Sequence, residues 1–140
     1  MKINIKTFFY GNNYGALLQS YTLKSFINKN CEGSANFSRY QPKKFLYREE
    51  FKPLVTKNIV KFFLKLKKFY KLRKWKTKYI CVKPKIIKEN FNNDKSISIY
   101  GSDEILNFAN PFFGYDAYFF GKNDRNNKLS YAASFGASSS

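Results

Sequence analysis

The stretch KINIKTFFYGNNYGALLQSYTLKSFINK, residues 2–29, decides the fold. Apolar and polar residues alternate over positions 2–9, and this period of two predicts a β-strand with Ile3 and Ile5 on one face and Lys6 on the other. Glycine and asparagine follow directly and adopt turn conformations at little cost, so we expect the strand to end there. The opening of the chain therefore predicts a strand that leads into a tight turn.

A helix follows the turn formed by Gly11, Asn12 and Asn13. Residues 14–29 contain no proline and consist mostly of good helix formers. The apolar residues of this segment occupy two sides of the helix rather than one. We therefore expect the helix to be covered by its own sheet on one side and by a further element on the other.

Further strands are predicted downstream. Residues 35–41 form a second strand that Pro42 terminates, because proline cannot donate to a β-ladder. Strand, turn, helix and strand make a βαβ unit, which favours a parallel sheet. Short apolar runs predict more strands at residues 97–100, 117–120 and 129–136. The fold class expected from this order is α/β, with a Rossmann-like parallel sheet.

Three turns lie at the ends of predicted strands, at residues 11–15, 101–104 and 134–137. In an open parallel sheet, ligands gather outside the carboxyl ends of the strands, so we expect these turns to meet at one rim. Glycine admits a ligand close to the backbone, amides donate to ligand oxygens, and an aspartate orients a hydroxyl or acts as a general base. The predicted substrate-binding residues are Asn12, Asn13, Gly15, Ser102, Asp103, Ser134 and Gly136.

Each of these segments also has a purely structural interpretation. Glycine and asparagine are common in any strand-to-helix turn. Ser102 or Asp103 is suited to cap a short helix that ends near Asn107. The small residues of 130–136 are suited to a tightly packed, buried strand. Taken singly, none of the three segments identifies a function.

The stretch from Lys57 to Lys78 holds ten basic residues and no acid. Its apolar residues follow helical spacing and most of its lysines fall on the other side, which predicts a basic amphipathic helix. Those apolar residues are Ile59, Phe62, Phe63, Leu66, Phe69 and Tyr70. Two interpretations are open: an ordinary helix with its apolar face in the core, or a helix that contacts an anionic membrane surface. Nucleic acid is not the expected partner.

Composition limits the remaining functions. The chain has 140 residues and is 20% aromatic, so it is long enough for one folded domain and too aromatic for a disordered tail. Its net charge of +17 accompanies many Lys, Asn, Ile, Phe and Tyr residues, which is the signature of an AT-rich genome. The total charge is therefore a poor guide to partners, and only its uneven distribution is informative.

Cofactors and membrane spans are not expected. The chain has no histidine, and Cys31 and Cys81 lie 50 residues apart without metal-ligand spacing, so the expectation is no metal and no other cofactor. The apolar runs are too short to span a bilayer, and the N-terminus lacks the features of a signal peptide. The expected location is the cytoplasm.

Several motifs occur in an order that resembles the N-terminal part of polysaccharide pyruvyl transferases. They are NNYGALLQSYTL at 12–23, GSD at 101–103 followed by Asn107, and SYAASFG at 130–136. The resemblance covers about residues 1–45 and 97–137. It departs from the family pattern at Glu104, where glutamine is common, and at Ile105 and Leu106, where the family has an aliphatic residue and tryptophan.

The resemblance implies a fold. It is the N-terminal half of a two-domain protein similar to B-type glycosyltransferases, here truncated. Residues 1–140 would be one Rossmann-like domain, with residues 43–95 as a variable basic helical insertion and the C-terminal domain absent.

The resemblance also implies a reaction. The pyruvyl group of phosphoenolpyruvate moves to sugar hydroxyls of a cell-envelope polysaccharide and forms a ketal, so the implied partners are phosphoenolpyruvate and a saccharide acceptor. Most cationic and proton-donating groups of the family lie beyond the matched region, so this chain is expected to be catalytically incomplete alone and its catalytic residues stay unassigned. Two alternatives are a basic module that binds anionic membrane or nucleic acid through residues 57–78, and a non-functional remnant. Membrane contact would be peripheral, on the inner face of the plasma membrane.

Overall fold

Four parallel strands form one sheet in this computed structural model. The structure describes residues 1–50, 55–86, 96–110 and 114–136. The strands in chain order are β1 (Lys2–Lys6), β2 (Ser34–Phe37), β3 (Ser96–Tyr100) and β4 (Asn127–Ser130). Every neighbouring pair is parallel. The predicted α/β class and Rossmann-like parallel sheet are confirmed.

The strand order β2-β1-β3-β4 creates a crevice at one end of the sheet. From β1 the chain moves to β2 on one side and then returns to β3 on the other side. Lys2 is aligned with both Ser34 and Ser96, so the three strands start in register. In open α/β sheets the loops that leave the strands on either side of such a reversal diverge and leave room for a ligand. Here those loops follow β1 and β3.

The described helices are α1 (Tyr14–Asn30), α2 (Lys43–Glu50) and α3 (Ile59–Trp75), and a π-helical turn (Lys76–Ile80) follows α3. The predicted turn and first helix are confirmed. Asn13 caps α1, because its side-chain oxygen accepts a hydrogen bond from the Gly15 N–H at 2.9 Å. None of the helices in the described ranges is long and apolar enough to cross a membrane.

Both faces of the two central strands, β1 and β3, are covered. One core cluster joins the strands to α1 and to the π-helical turn; its buried members are Ile3, Ile5, Phe9, Leu23, Ile27, Ala35, Phe37, Ile80 and Ile99. The other cluster lies between the sheet rim, α2 and the segment before β4; its members are Phe8, Tyr40, Phe45, Tyr100, Ile105, Tyr118 and Phe119. The alternation predicted for β1 is present, and its polar side is buried as well: Lys6 is only 2% exposed.

The second side of α1 is covered in part, by the end of α3 and the π-helical turn, while Tyr14 and Leu18 stay 49% and 54% exposed. Tyr21 of α1 makes edge-to-face contacts with Trp75 and Tyr79, at centroid distances of 5.7 and 5.5 Å. The Lys68 ammonium lies 4.8 Å from the centre of the Tyr14 ring. The basic segment therefore packs on the domain through its C-terminal end.

Of the two open interpretations of α3, burial of its apolar face in the core holds only in part: Phe62 and Phe69 are half-buried, and the rest of the stripe is exposed. Leu72 is the buried residue of this helix, and it lies on the side opposite the apolar stripe. Ile59, Phe63 and Tyr70, which belong to the stripe, are 71%, 61% and 70% exposed. The helix turns its basic side toward α1, where Lys68 packs on Tyr14 and Lys71 lines the cavity between the two helices, and most of its apolar side faces outward.

The segment after β3 differs from the short helix predicted through Asn107. Residues 101–110 form bends and turns. Asp103 has φ +133°, which no helix accommodates, and its carboxylate accepts from the adjacent Glu104 N–H at 2.8 Å instead of capping a helix. Capping, the structural interpretation of this motif, is therefore also wrong.

Two further strand predictions are corrected. Residues 117–120 form consecutive turns, closed by a hydrogen bond from the Lys122 N–H to the Ala117 carbonyl at 3.0 Å. The last strand is β4 rather than residues 129–136, and all of its side chains are exposed, so it is an edge strand and not a buried one. Ala132 has φ +46°, which ends the extended backbone. The second strand is shorter than predicted, and Tyr40 forms a separate bridge with Lys85.

Candidate functional site

A polar cleft of about 200 Å³ opens where the loops after β1 and β3 diverge. Its lining comes from three parts of the chain that are distant in sequence. The lining residues are Phe8, Gly11, Asn13, Ala16, Phe45, Arg48, Asp103, Glu104 and Asn110. The first and second predicted turns thus face each other across one cleft at the carboxyl ends of neighbouring strands.

The loop between β1 and α1 is fixed from both ends. Asn13 caps α1, as described above, so its amide nitrogen is the part of the side chain left for a ligand. Asn12 does not line the cleft; its side-chain oxygen accepts from the Lys76 ammonium at 3.0 Å. Lys76 also donates to the Tyr10 carbonyl at 3.0 Å and is only 5% exposed. A buried lysine from the basic segment therefore sets the shape of this loop.

The loop after β3 presents Asp103 to the cleft and keeps Ser102 beneath it. The Ser102 carbonyl accepts from the Thr7 hydroxyl at 2.7 Å, which ties this loop to the end of β1. The Ser102 side chain is 4% exposed, and its hydroxyl has no hydrogen-bond partner among the described residues. Asp103 is half-buried and belongs to the cleft wall.

The third predicted turn packs directly against the second. The Ser134 N–H donates to the Asp103 carbonyl at 3.0 Å, and the Asp103 N–H donates to the Ala132 carbonyl at 3.3 Å. Gly136 has φ +73°, and a Cβ there would lie 2.7 Å from the Glu104 carboxylate. Glycine is therefore needed where this segment passes the acidic end of the cleft. Residue 137, the end of the predicted turn, lies outside the described residues.

The structure thus divides the seven predicted residues into groups. Asn13 and Asp103 line the cleft. Gly15 lies in the first turn of α1, where a Cβ would meet only the Asn13 side-chain oxygen, at 3.3 Å. Asn12 and Ser102 support the two loops from behind, and Ser134 and Gly136 contact the second loop from the side of β4.

Four lining residues were not anticipated from the sequence: Phe8, Phe45, Arg48 and Asn110. Phe8 and Phe45 stack with ring centres 4.5 Å apart and form the apolar floor between β1 and α2. Phe45 and Arg48 are three residues apart on α2, which places them on one face of that helix. This spacing is a signal that the sequence does contain, although it lies within the predicted variable insertion at residues 43–95.

The cleft favours hydroxyl groups over strong anions. Two carboxylates, Asp103 and Glu104, face one guanidinium, Arg48, so the described lining carries more negative than positive side-chain charge. Carboxylates accept hydrogen bonds from hydroxyls, amides such as Asn13 donate and accept, and aromatic rings cover the apolar faces of a ligand. Among the described residues, no group of acidic or sulfur side chains is placed to hold a metal ion.

A buried polar network supports the rim from the second face of the sheet. The Lys6 ammonium donates to the Asp124 carboxylate at 2.8 Å and to the Tyr100 hydroxyl at 3.0 Å. Tyr100 in turn donates to Asp124 at 2.6 Å. Burial and this hydrogen bond raise the pKa of Tyr100 well above its usual value. Burial alone would raise the pKa of Asp124, but hydrogen bonds from Lys6 and Tyr100 hold it below its usual value.

A second cavity, of about 310 Å³, lies between α1 and α3. Its lining is almost entirely apolar; the lining residues are Tyr14, Leu17, Leu18, Lys71, Leu72 and Trp75. It is larger than the polar cleft, but it lacks the convergent polar groups that chemistry on a sugar requires. The polar cleft is therefore the candidate site.

Comparison with known proteins agrees with this arrangement of motifs. The family model for polysaccharide pyruvyl transferase matches residues 13–140, which is most of the chain and includes all three turns apart from the first two residues of the first. No curated protein and no solved structure gives a significant match.

Proposed function

The chain belongs to the polysaccharide pyruvyl transferase family, and from this premise we propose that its polar cleft binds the acceptor saccharide onto which a pyruvyl group is transferred. The proposed donor is phosphoenolpyruvate. The convergence of the Asn13 and Asp103 loops on one cleft is the observation that carries the proposal.

The proposed reaction balances without a redox partner. The enol carbon C3 of phosphoenolpyruvate takes up one proton, which makes C2 electrophilic. Two hydroxyls of one sugar add to C2, the C2–O bond to phosphate breaks, and inorganic phosphate leaves. Of the two hydroxyl protons, one replaces the proton taken up at C3 and the other leaves with phosphate. The catalyst must therefore accept protons from hydroxyls and donate one to carbon.

Asp103 is the residue proposed to accept a hydroxyl proton. Its carboxylate belongs to the cleft wall, while its backbone is held on both sides by the segment that follows β4. A carboxylate so fixed orients an attacking hydroxyl and takes its proton as the new C–O bond forms. Asn13, Asn110 and Glu104 are proposed to bind the other hydroxyls of the sugar.

The donor needs a different environment. Phosphoenolpyruvate carries phosphate and carboxylate groups, which are bound by clustered cations and N–H donors. In the described cleft lining, Arg48 is the cationic side chain. We therefore propose that the chain acts as the N-terminal half of a two-domain enzyme, and that the remaining cations and the carbon acid come from a second half.

The proposal includes a location. Phosphoenolpyruvate is a metabolite of the cell interior, so transfer to a saccharide destined for the envelope would take place in the cytoplasm. Peripheral contact with the inner face of the plasma membrane, through residues 57–78, would bring the cleft close to membrane-linked precursors of the polysaccharide.

Saccharide binding by the purified chain tests the acceptor role. Saturation-transfer NMR with a panel of hexoses and hexosamines that carry neighbouring or 4,6-related hydroxyls should detect binding in the millimolar range. Asp103→Asn should weaken that binding at least about tenfold, because it removes a charge-assisted hydrogen bond. The matched control is Glu32→Gln, which removes an exposed acid outside the cleft and should leave binding unchanged.

The same samples test the division of labour. With phosphoenolpyruvate and a bound saccharide, the chain alone should release no phosphate and form no ketal methyl signal. Addition of a polypeptide that supplies the second half should start both phosphate release and ketal formation. The acceptor role would be wrong if no saccharide in the panel binds, or if Asp103→Asn binds as well as the native chain. Turnover by the chain alone would refute the proposed dependence on a second half.

A further inference from the structure

The outward face of α3 is a continuous apolar stripe bordered by cations. Ile59, Phe63, Leu66 and Tyr70 repeat at intervals of three and four residues and share one side of the helix. Their exposures are 71%, 61%, 41% and 70%. Val60 and Leu64, on the far side of Lys67 and Lys74, are also mostly exposed. No described part of the chain covers this face.

The charges around the stripe are all of one sign. Residues 57–78 contain ten basic side chains and no acid. Lys67 and Lys74 border the stripe on one side and Arg73 on the other, and all three are exposed. Lys61, Lys65 and Lys68 lie on the opposite side of α3, and the Lys68 ammonium contacts the Tyr14 ring of α1. The helix thus presents an apolar centre with cationic margins.

We propose that α3 docks this domain in the plane of an anionic lipid bilayer, with Phe63 and its apolar neighbours inserted and the bordering cations among the headgroups. A helix in the membrane interface has this arrangement: its apolar face lies at the acyl boundary and its basic residues contact acidic lipids. This docking rests on the membrane contact of the proposed function. Its test measures no pyruvyl transfer, so membrane docking and pyruvyl transfer can each fail while the other holds.

Charge decides between the occupants of this face. A second copy would place the same cluster of cations against itself, which opposes association at moderate salt. A nucleic acid would use the cations but not Ile59 or Leu66, because bases stack on aromatic rings and guanidinium planes rather than on aliphatic side chains. An anionic bilayer satisfies both the apolar centre and the cationic border.

The orientation of the docked domain follows from the packing of α3. Its C-terminal end is anchored to α1 through Trp75 and Tyr21, and Lys76 holds the loop before α1. The N-terminal part of the helix, from Ile59, carries most of the exposed stripe. A helix that lies in the interface would therefore fix the orientation of the β1–α1 end of the cleft relative to the membrane surface.

Vesicle co-sedimentation tests the proposal directly. The full chain is mixed with vesicles of phosphatidylcholine alone or with about 30% phosphatidylglycerol, a proportion typical of an anionic leaflet. We expect binding to the anionic vesicles only. Phe63→Ser should reduce the partition coefficient at least about tenfold, since insertion of the ring is lost. Phe26→Ser is the matched control, because Phe26 is also helical and 62% exposed, and it should change the partition by less than about twofold.

Charge variants and competitors complete the test. Lys67→Glu with Lys74→Glu should reduce anionic-vesicle binding at least about tenfold, whereas Lys29→Glu on α1 should have little effect. Circular dichroism confirms that each variant is folded. The proposal is overturned if the chain does not bind anionic vesicles, or if Phe63→Ser binds as tightly as the native chain. It is also overturned if light scattering detects a dimer that Phe63→Ser dissociates, or if RNA displaces the vesicles while binding independently of Phe63.

Discussion

Removal of the Asp124 charge should destabilise the domain severely. The Asp124 carboxylate and the Lys6 ammonium form an ion pair at 2.8 Å, and their side chains are 2% and 1% exposed. Tyr100 donates a second hydrogen bond to the same carboxylate oxygen. Asp124→Asn preserves the size of the side chain but leaves the ammonium buried without its carboxylate partner.

The magnitude follows from the burial of both groups. Loss of one member of a buried ion pair costs about 3–5 kcal/mol, because the other charge stays in a medium that solvates it poorly. A single domain has a free energy of unfolding of about 5–15 kcal/mol, so Asp124→Asn should remove about a fifth or more of the total. The paired change Lys6→Met with Asp124→Leu removes both charges. It should lie within about 2 kcal/mol of the native chain, since apolar pairs often replace buried ion pairs at little cost.

Urea unfolding followed by fluorescence measures these differences, and the single tryptophan, Trp75, serves as the reporter. Glu32→Gln, an exposed acid-to-amide change, is the control and should shift stability by less than about 0.5 kcal/mol. A loss below about 1 kcal/mol for Asp124→Asn would refute the reasoning, because the pair would then be solvated or absent. The reasoning would also be refuted if the paired Lys6→Met and Asp124→Leu variant were as unstable as Asp124→Asn.

The same pair predicts how stability depends on pH. Hydrogen bonds from Lys6 and Tyr100 outweigh the effect of burial and hold the pKa of Asp124 below its ordinary value. A carboxyl of this kind contributes stability that is complete above its ordinary pKa, about 3.9, and that is lost as the pH falls toward the folded-state value. The native chain should therefore lose stability below about pH 4 more steeply than the paired Lys6 and Asp124 variant. Parallel curves would contradict this assignment.

Three further predictions test other parts of the rim. Burial raises the pKa of Tyr100 and of Tyr40, so absorbance titration should detect phenols that ionise only when the chain unfolds at high pH, and Tyr100→Phe should reduce that step by one phenol. A Cβ at Gly101, where φ is +114°, would lie 2.0 Å from a backbone oxygen, so Gly101→Ala should prevent cooperative unfolding, while Gly15→Ala should change stability by less than about 1 kcal/mol. Lys76→Met should cost about 1–3 kcal/mol in urea unfolding, because two hydrogen bonds to the loop before α1 are lost, and Lys74→Met should cost less than about 0.5 kcal/mol.

The sequence was sufficient for the parts of the fold that local rules determine. Alternation identified β1, the glycine and asparagine turn marked its end, and a long run of helix formers marked α1. It failed after β3, where Asp103 and Ala132 adopt positive φ values in two loops that contact each other. Local residue preferences do not predict these conformations. The sequence left the orientation of α3 open, because an amphipathic pattern reveals that a helix has two faces and not which of them meets the domain.

The candidate site was predicted in outline. Parallel topology alone implies that loops after adjacent strands meet, which is why Asn13 and Asp103 reach the same cleft. Topology gives no side-chain distances. It therefore does not reveal the supporting role of Asn12, which depends on Lys76, a residue 64 positions away. Arg48 was missed because its helix was grouped with the variable basic segment.

The burial of Lys6 also predicts how related chains should diverge. In a genome of different base composition, most surface lysines can be exchanged for arginine without structural consequence. Lys6 cannot, because its ammonium lies 4.9 and 4.6 Å from the ring centres of Tyr100 and Tyr118 while it contacts Asp124. The wider, planar guanidinium does not fit this compact space. Among homologues we therefore expect lysine at this position to persist where lysines elsewhere drift to arginine.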